Sequence, residues 1–441
     1  MKNFLNLILK NTNDLRSLLN KSSWTYLSLP FTIVFGLINT GILTRALGVE
    51  NFGLLSVIIA ITGFISGVFN TLSSEAITTF VTPEIKRNKK YASELIKKFF
   101  SLQVISGLLT SFTIFIFSGF LLELLGLEEE NKKILFIHSL SPIFGLALWN
   151  IISILRIFDK YSYSFFQSIS FSIVKACVFV FIYLKNGDII NFIYSLLFLE
   201  ITQVLVLTFI TKKVLFQQGI DLGKILSWPV GFDTEIKSFL FYNLGRSMFR
   251  SIGLHADVII LSVLSASTYT VGLYKGARKI QEVLMMSMKG FESVLYPEYT
   301  KIYHQKGVRK LKELVFVISA LFIVSGILIC CLAYLFSDWI IQLILGSSYE
   351  QSISIFRLLL VHSLIVFSMM ALISIPRIFG ESKTNFLASL VNVVMLIIIS
   401  LFMVPLYSIN GLLLAIITGS IVSNIYIIYK TLNLFIKKDR T

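Results

Sequence analysis

The chain has 441 residues, of which 55% are hydrophobic and only 14% charged, and its mean hydropathy is +0.82. An ordinary soluble domain carries about a quarter charged residues, so this composition excludes one and places the chain in a bilayer. The net charge of +15 does not call for nucleic acid, because a basic inner surface facing anionic lipid headgroups accounts for it.

The first 23 residues lack the continuous apolar core and small-residue cleavage site of a signal peptide. Phe4, Leu5, Ile8, Leu15, Leu18 and Leu19 suit a cytoplasmic amphipathic segment over 1–25 on the inner leaflet, or a disordered tail. A transmembrane helix needs about 20 mostly apolar residues. Twelve such stretches begin near 26, 52, 98, 133, 161 and 188, and near 239, 268, 312, 353, 383 and 409. They define an N-lobe over 26–211 with helices one to six and a C-lobe over 238–430 with helices seven to twelve. Between them, 212–237 is hydrophilic, contains Gly219, Gly223, Pro229 and Gly231, and reads as a cytoplasmic linker. A basic cytoplasmic tail, 431–441, ends the chain.

Loop charge supports this alternation, since Lys and Arg concentrate in cytoplasmic loops. With the N-terminus inside, inner segments hold 27 Lys and Arg, whereas outer loops hold only Arg45, Lys132, Lys133 and Lys185. Both termini are therefore expected to be cytoplasmic. Cys177, Cys330 and Cys331 fall inside apolar spans and are expected to pack rather than form disulfides.

The hexapeptide SILRIF, Ser153 to Phe158, returns as SIPRIF, Ser374 to Phe379, after 221 residues. Leu124-Leu125-Gly126 matches Ile344-Leu345-Gly346 at 220, Phe52-Gly53-Leu54 matches Val271-Gly272-Leu273 at 219, and Thr82-Pro83-Glu84 matches Tyr296-Pro297-Glu298 at 214. Coincidence in a biased composition is the alternative to duplication. Because six spans is an even number, two such halves insert with one orientation, related by a pseudo-twofold along the membrane normal. The expected fold is all-α: a polytopic membrane protein of twelve transmembrane helices in two six-helix lobes. Paired bundles that rock about a shared cavity suit transport.

Chemistry motifs are absent. His138, His255, His304 and His362 are scattered, and no GxSxG, HExxH or phosphate-binding glycine loop occurs. The expectation is a non-enzyme with no metal and no cofactor, driven by a proton or sodium gradient, the membrane potential or the downhill fate of its product.

An ionisable residue in hydrocarbon costs roughly 2.5–3.5 kcal/mol, so each needs a partner, a wet cavity or a function. On span seven Asn243, Arg246, Arg250, Gly253 and Asp257 share one helical face, as do Lys275, Arg278, Glu282, Met286, Lys289 and Glu292 on span eight. A zipper would pair Asp257 with Arg278, Arg250 with Glu282, and Arg246 with Lys289 and Glu292. With Lys279 included, six bases meet three acids, so a wet cavity for an anion is favoured over the zipper alone. Lys175 and Glu200, at mid-depth on spans five and six, are expected to pair. In the functional alternative Lys175 binds an anionic substrate and Glu200 is a titratable coupling group. Arg357, near the outer end of span ten, reads as structural.

With twelve spans, TRALGVENFGLLS over Thr44–Ser56, and VGLYKGARKI over Val271–Ile280 leading to YPEYTK, the chain resembles the polysaccharide-transporter family. More narrowly it resembles Wzx-type flippases of O-antigen or similar repeat units, within the multidrug, oligosaccharidyl-lipid and polysaccharide exporter (MOP) superfamily. That resemblance implies two six-helix lobes around a central cavity. The segment from Tyr274 to Pro297 is also similar to the eighth span of lipid II flippases, where an arginine four residues after a tyrosine matters for lipid-linked pyrophosphate. Here Arg278 follows Tyr274 by four, but Ala277 stands where those proteins carry an acid. Those flippases also have fourteen spans.

The resulting expectation is a flippase in the bacterial cytoplasmic membrane, moving undecaprenyl-pyrophosphate-linked oligosaccharide from the inner to the outer leaflet by alternating access. Arg278, Lys275, Arg246, Arg250 and Lys175 are the expected substrate-binding residues, and Glu200 and Asp257 the ion-coupling candidates. Expected partners are the polyprenyl-pyrophosphate-linked oligosaccharide, the lipid bilayer and the polysaccharide polymerase and chain-length proteins. An ion-coupled multidrug or small-molecule exporter is the alternative within the superfamily. A membrane-embedded polymerase or ligase is the alternative of another class, disfavoured by short outer loops with four bases and no histidine.

Overall fold

A computed structural model of the protein describes residues 12–220, 223, 227–265 and 267–439, with the side chains of 12–29, 287–294, 382 and 439 outside the described set. The expectation for segment 1–25 therefore lies outside the described side chains. Among the described residues every element is helical, which is how a chain in hydrocarbon satisfies its own backbone hydrogen bonds.

Twelve long helices follow one another. The run Thr12–Phe69 leaves helical geometry at Gly48 (φ 68°, ψ −177°), a conformation essentially reserved for glycine. It therefore comprises α1 (12–47) and α2 (49–69). Then come α3 (Lys89–Ile116), α4 (Ser141–Ile157), α5 (Tyr161–Leu184), α6 (Ile189–Gln217) and α7 (Thr234–Ser265). The run Thr268–Leu335 is broken in the same way at Gly307 (φ 77°, ψ 178°), giving α8 (268–306) and α9 (308–335). The last three are α10 (Ser352–Met369), α11 (Ser382–Tyr407) and α12 (Ile409–Asp439). Ten stretches are long and apolar enough to cross a membrane. Two differences reconcile these with twelve helices. Pro30–Phe69 contains two of them, and the described part of α8 carries Lys275, Arg278, Lys279 and Glu282.

The chain forms two compact units, Met1–Ile42 with Ile58–Leu254, and Leu43–Val57 with His255–Thr441. The division thus falls inside α7. Segment 212–237 belongs to the first unit because it packs on α3. Lys89 Nζ donates to the Gln218 carbonyl at 2.8 Å, the Ser227 N–H donates to Ser101 Oγ at 2.9 Å, and Phe232 stacks on Phe99 with ring centroids 5.3 Å apart.

Packing shows the duplication residue by residue. The second unit has a core of Tyr299, Leu311, Val315, Ile375 and Phe435. The positions 219 to 221 residues earlier are Phe80, Ala92, Ile96, Ile154 and Leu215; the last four belong to one core of the first unit and Phe80 packs against it. Ile154 and Ile375 are the second residues of the hexapeptides that first suggest the repeat. Coincidence does not place five equivalent side chains in or against equivalent cores.

Inside the second unit the two copies also touch directly. A Cβ at Gly53 would stand 2.8 Å from the Gly272 nitrogen and closer still to the Thr268 carbonyl oxygen. A Cβ at Gly272 would stand 2.9 Å from the Val49 carbonyl carbon and closer still to its oxygen. Residues 49 and 53 become 268 and 272 on adding 219, so each glycine rests on the counterpart of the residue that faces its partner. This is the reciprocal contact of a twofold axis.

The halves then diverge. The 21 residues of α2 rise about 31 Å, the thickness of the hydrocarbon, and the helix stops at Phe69. Leu72 is left-handed (φ 48°, ψ 41°), and short helical pieces Ser73–Ala76, Ile77–Val81 and Thr82–Arg87 follow. α8 instead continues as helix through the equivalent positions 289–291.

Candidate functional site

In the second unit the site begins on α8, where Tyr274, Arg278 and Gln281 share a face at spacings of four and three. Tyr274 is fully buried, and its hydroxyl donates to Asp257 Oδ2 of α7 at 2.6 Å. The other carboxylate oxygen, Oδ1, accepts the Val258 N–H at 2.8 Å. Asp257 is thereby fixed, 8% exposed, with Arg278 Nε 3.8 Å from Oδ2. That separation is an ion pair without a hydrogen bond, and among the described residues the buried Arg278 Nε has no hydrogen-bond partner. Arg278 Nη1 donates to Gln281 Oε1 at 2.5 Å.

On the neighbouring face Lys275 and Lys279 both reach Glu282, at 3.3 Å and 2.9 Å. Three bases therefore meet two acids in this cluster, and one carboxylate is consumed within α8 itself. An excess positive charge and an unpartnered guanidinium N–H remain, an arrangement that can receive an anion with charge-assisted hydrogen bonds.

The pairing expected from sequence is present at Asp257 and Arg278 and differs at Glu282. Glu282 is held by Lys275 and Lys279. Arg246, in the first-unit part of α7, pairs with Glu75, which follows the interruption of α2. Both members are about half exposed, at 55% and 46%. Glu75 is the acid that a tally of spans seven and eight omits, because it reaches Arg246 only through tertiary contact. Arg250 is exposed on the same part of α7. The side chains of Lys289 and Glu292 lie outside the described residues. Lys175 of α5 sits over the Phe179 ring, 5.3 Å from its centroid, and its charge acts on Glu200 of α6, whose Oε2 accepts from the Ser141 hydroxyl. Arg357 is held at the end of α10 by Ser337 Oγ at 2.8 Å and Asp338 at 2.9 Å, as its structural reading expects.

Sequence reasoning missed a buried polar network where α2 ends. Gln103 of α3 donates to Asn70 Oδ1 at 2.8 Å and accepts from Ser73 Oγ at 2.6 Å. Asn150 of α4 donates to Ser73 Oγ at 3.0 Å and to the Phe99 carbonyl at 2.9 Å. Asn70 Oδ1 also accepts the Leu72 N–H at 2.9 Å, stabilising the break. The α7 face bearing Arg246 is brought up by small residues. Ser251 Oγ donates to the Gly63 and Phe64 carbonyls at 3.2 and 3.1 Å, and Gly67 lies against Ser251. The Gly63/Gly67 and Ser247/Ser251 spacings of four are the sequence signal for this close approach.

These helices have the fold of the MATE transporters of the MOP superfamily. An inward-facing multidrug resistance MATE family transporter is similar at 15% identity and a TM-score of 0.75, over 93% of this chain and 96% of that one. A MATE transporter from Vibrio cholerae is similar at 16% identity and 0.59, over 98% of each chain. A MOP superfamily transporter from Pyrococcus furiosus, whose binding pocket has a reversed polarity that suggests a different function, is similar at 14% and 0.61, over 94% of this chain and 96% of that one. No curated protein sequence matches. The chain belongs to the polysaccharide biosynthesis protein family, whose model matches residues 18–303. It is a multi-pass membrane protein of transporter fold.

Proposed function

We propose that this protein is a flippase that moves undecaprenyl-pyrophosphate-linked oligosaccharide repeat units from the inner to the outer leaflet of a bacterial cytoplasmic membrane, with both termini cytoplasmic. Family membership supports the polysaccharide context, and the MATE-like fold supports a transporter, for which alternating access is the mechanism we infer. The observation that carries the reading is Arg278: a mostly buried guanidinium, 23% exposed at the side chain, with one carboxylate at 3.8 Å and an Nε that lacks a hydrogen-bond partner. Leaving such a group unsatisfied costs about 1–3 kcal/mol, more when charged, and a phosphate oxygen would supply the missing acceptor.

Sugar hydroxyls and a pyrophosphate lose their water in hydrocarbon at several kcal/mol per unpaired group. A basic wet site replaces that solvation while the polyprenyl tail stays in lipid. Arg278 and Lys275 bind the pyrophosphate. Arg246, Arg250 and Lys175 are further substrate-binding residues for anionic groups. Glu200 and Asp257 couple transport to a proton or sodium gradient. Polymerase and chain-length proteins receive the product. The excess positive charge of the α8 cluster is the opposite of the acidic cavity that a cation exporter would want.

A deletion strain is expected to accumulate lipid-linked repeat units on the cytoplasmic leaflet, and an Arg278→Ala strain to do the same with normal amounts of protein in the membrane. Normal export by Arg278→Ala would reject the assignment. Loss of drug efflux instead of polysaccharide would favour the exporter, and polymer elongation by the pure protein would favour an enzyme.

A further inference from the structure

Gln281 is fully buried on α8, three residues beyond Arg278. Its Nε2 contacts three groups of α10: the Leu359 carbonyl at 2.8 Å, Ser363 Oγ at 2.9 Å and His362 Nδ1 at 3.0 Å. Its Oε1 accepts from Arg278 Nη1. Chemistry fixes this orientation of the amide, because a guanidinium only donates and a main-chain carbonyl only accepts. Reversal would set donor against donor at Arg278 and acceptor against acceptor at Leu359. Ser363 Oγ donates to the Leu359 carbonyl at 3.0 Å, so it accepts from Gln281. The amide nitrogen has two hydrogens to share among these three groups, and whether His362 Nδ1 takes one of them depends on its tautomer.

The Nε2 contacts alone would suffice to hold α8 against α10. The Oε1 bond does something further. An arginine side chain has many accessible rotamers, and a rigid acceptor removes much of that freedom before a ligand arrives. A carboxylate at this position would also orient the guanidinium, but it would cancel the charge that an anion needs. A neutral amide orients without cancelling.

We propose that Gln281, clamped by Leu359, His362 and Ser363, is the positioning residue that presents the Arg278 guanidinium to a phosphate of the lipid-linked substrate. This rests on the anion-site reading above and deepens it by naming what sets the geometry of that site.

The test uses the purified full chain in detergent with farnesyl pyrophosphate as probe, measuring its Kd and the thermal midpoint of each variant. Gln281→Met, which keeps the volume and removes the acceptor, is expected to weaken binding about tenfold, equivalent to about 1.4 kcal/mol. Arg278→Met should weaken it more. Because Gln281 acts through Arg278, the double variant should bind no more weakly than Arg278→Met. Gln281→Glu should also weaken binding, through charge cancellation. Wild-type affinity in Gln281→Met, or an undiminished tenfold loss in the Arg278→Met background, overturns the positioning role and leaves the anion site standing. Wild-type affinity in Arg278→Met overturns the anion site and the positioning role together. Should Gln281→Met fail to fold, Ser363→Ala loosens the same clamp. It is expected to weaken binding several-fold, and only when Arg278 is present; equal loss with and without Arg278 rejects the proposal.

Discussion

Replacing Gly53 by alanine tests the reciprocal crossing of α2 and α8 most directly. The new Cβ would lie 2.8 Å from the Gly272 nitrogen and nearer still to the Thr268 carbonyl oxygen. Ordinary contact between such atoms is about 3.5–4.0 Å, so the Thr268 oxygen, the nearest atom to the new Cβ, forces the helices apart by about 2 Å. The obstruction is backbone on both sides, which no rotamer change relieves. Overpacking of this kind costs about 1–3 kcal/mol, against a helix-propensity gain of about 1 kcal/mol for Gly→Ala. With backbone on both sides the cost lies at the upper end of that range, so the net expectation is a destabilisation of about 2 kcal/mol, read as a thermal midpoint lowered by a few degrees in detergent. Gly272→Ala should behave alike, since its Cβ meets Val49. Because one separation of the helices accommodates both methyl groups, the double variant should lose clearly less than the sum of the singles. Gly245→Ala, with nothing within 4 Å of its Cβ, is the control and should lose nothing. A Gly53→Ala protein as stable as wild type, or full additivity in the double variant, would refute the reciprocal crossing.

Tyr274→Phe removes a fully buried hydroxyl from the Asp257 carboxylate. A hydrogen bond to a charged group contributes about 1.5–3 kcal/mol, and a loss of that size in thermal or denaturant stability is expected, with unchanged stability counting against the site geometry. Gly48→Ala forces a side chain into a conformation costing about 1–3 kcal/mol, so a lower yield of folded protein is expected than for Gly253→Ala, whose Cβ meets nothing within 4 Å. Glu75→Gln should cost about 1 kcal/mol or less, since the pair with Arg246 is half exposed. Exchanging the two residues, Glu75→Arg with Arg246→Glu, should recover part of what either single reversal loses, and no recovery would show that the two side chains do not interact.

Much of the architecture was legible because hydropathy and loop charge are properties of the chain in one dimension. Nine of the twelve helices begin within five residues of the expected positions, whereas α1 and α3 begin 14 and 9 residues earlier and α4 begins 8 later. Discrepancies arise where a helix extends beyond the hydrocarbon, as α8 does, or where Gly48 joins two helices in one run. The repeat was legible as well, although five-of-six matches in a sequence rich in Ile, Phe and Ser carried little weight until Ile154 and Ile375 proved to occupy equivalent cores. The site was legible only in part. Helical spacing put Tyr274, Arg278 and Gln281 on one face, yet counting depth along α7 and α8 assigned Glu282 to Arg250 and left Glu75 out. Long side chains reach partners within their own helix, as Lys279 reaches Glu282, and such local pairs compete with any pairing drawn between helices.

The sequence by itself determined that the protein spans a membrane with about twelve helices in two similar halves and an excess of positive charge in spans seven and eight. Those conclusions depend on which residues are present and how far apart they lie. Only the tertiary structure decided which charges are neutralised, that Gln281 is anchored by α10, and that α2 stops at a buried amide network where α8 continues. Each of these requires knowing which faces meet across distances of tens to hundreds of residues. Spacing along one helix shows what shares a face, but packing alone shows what that face touches.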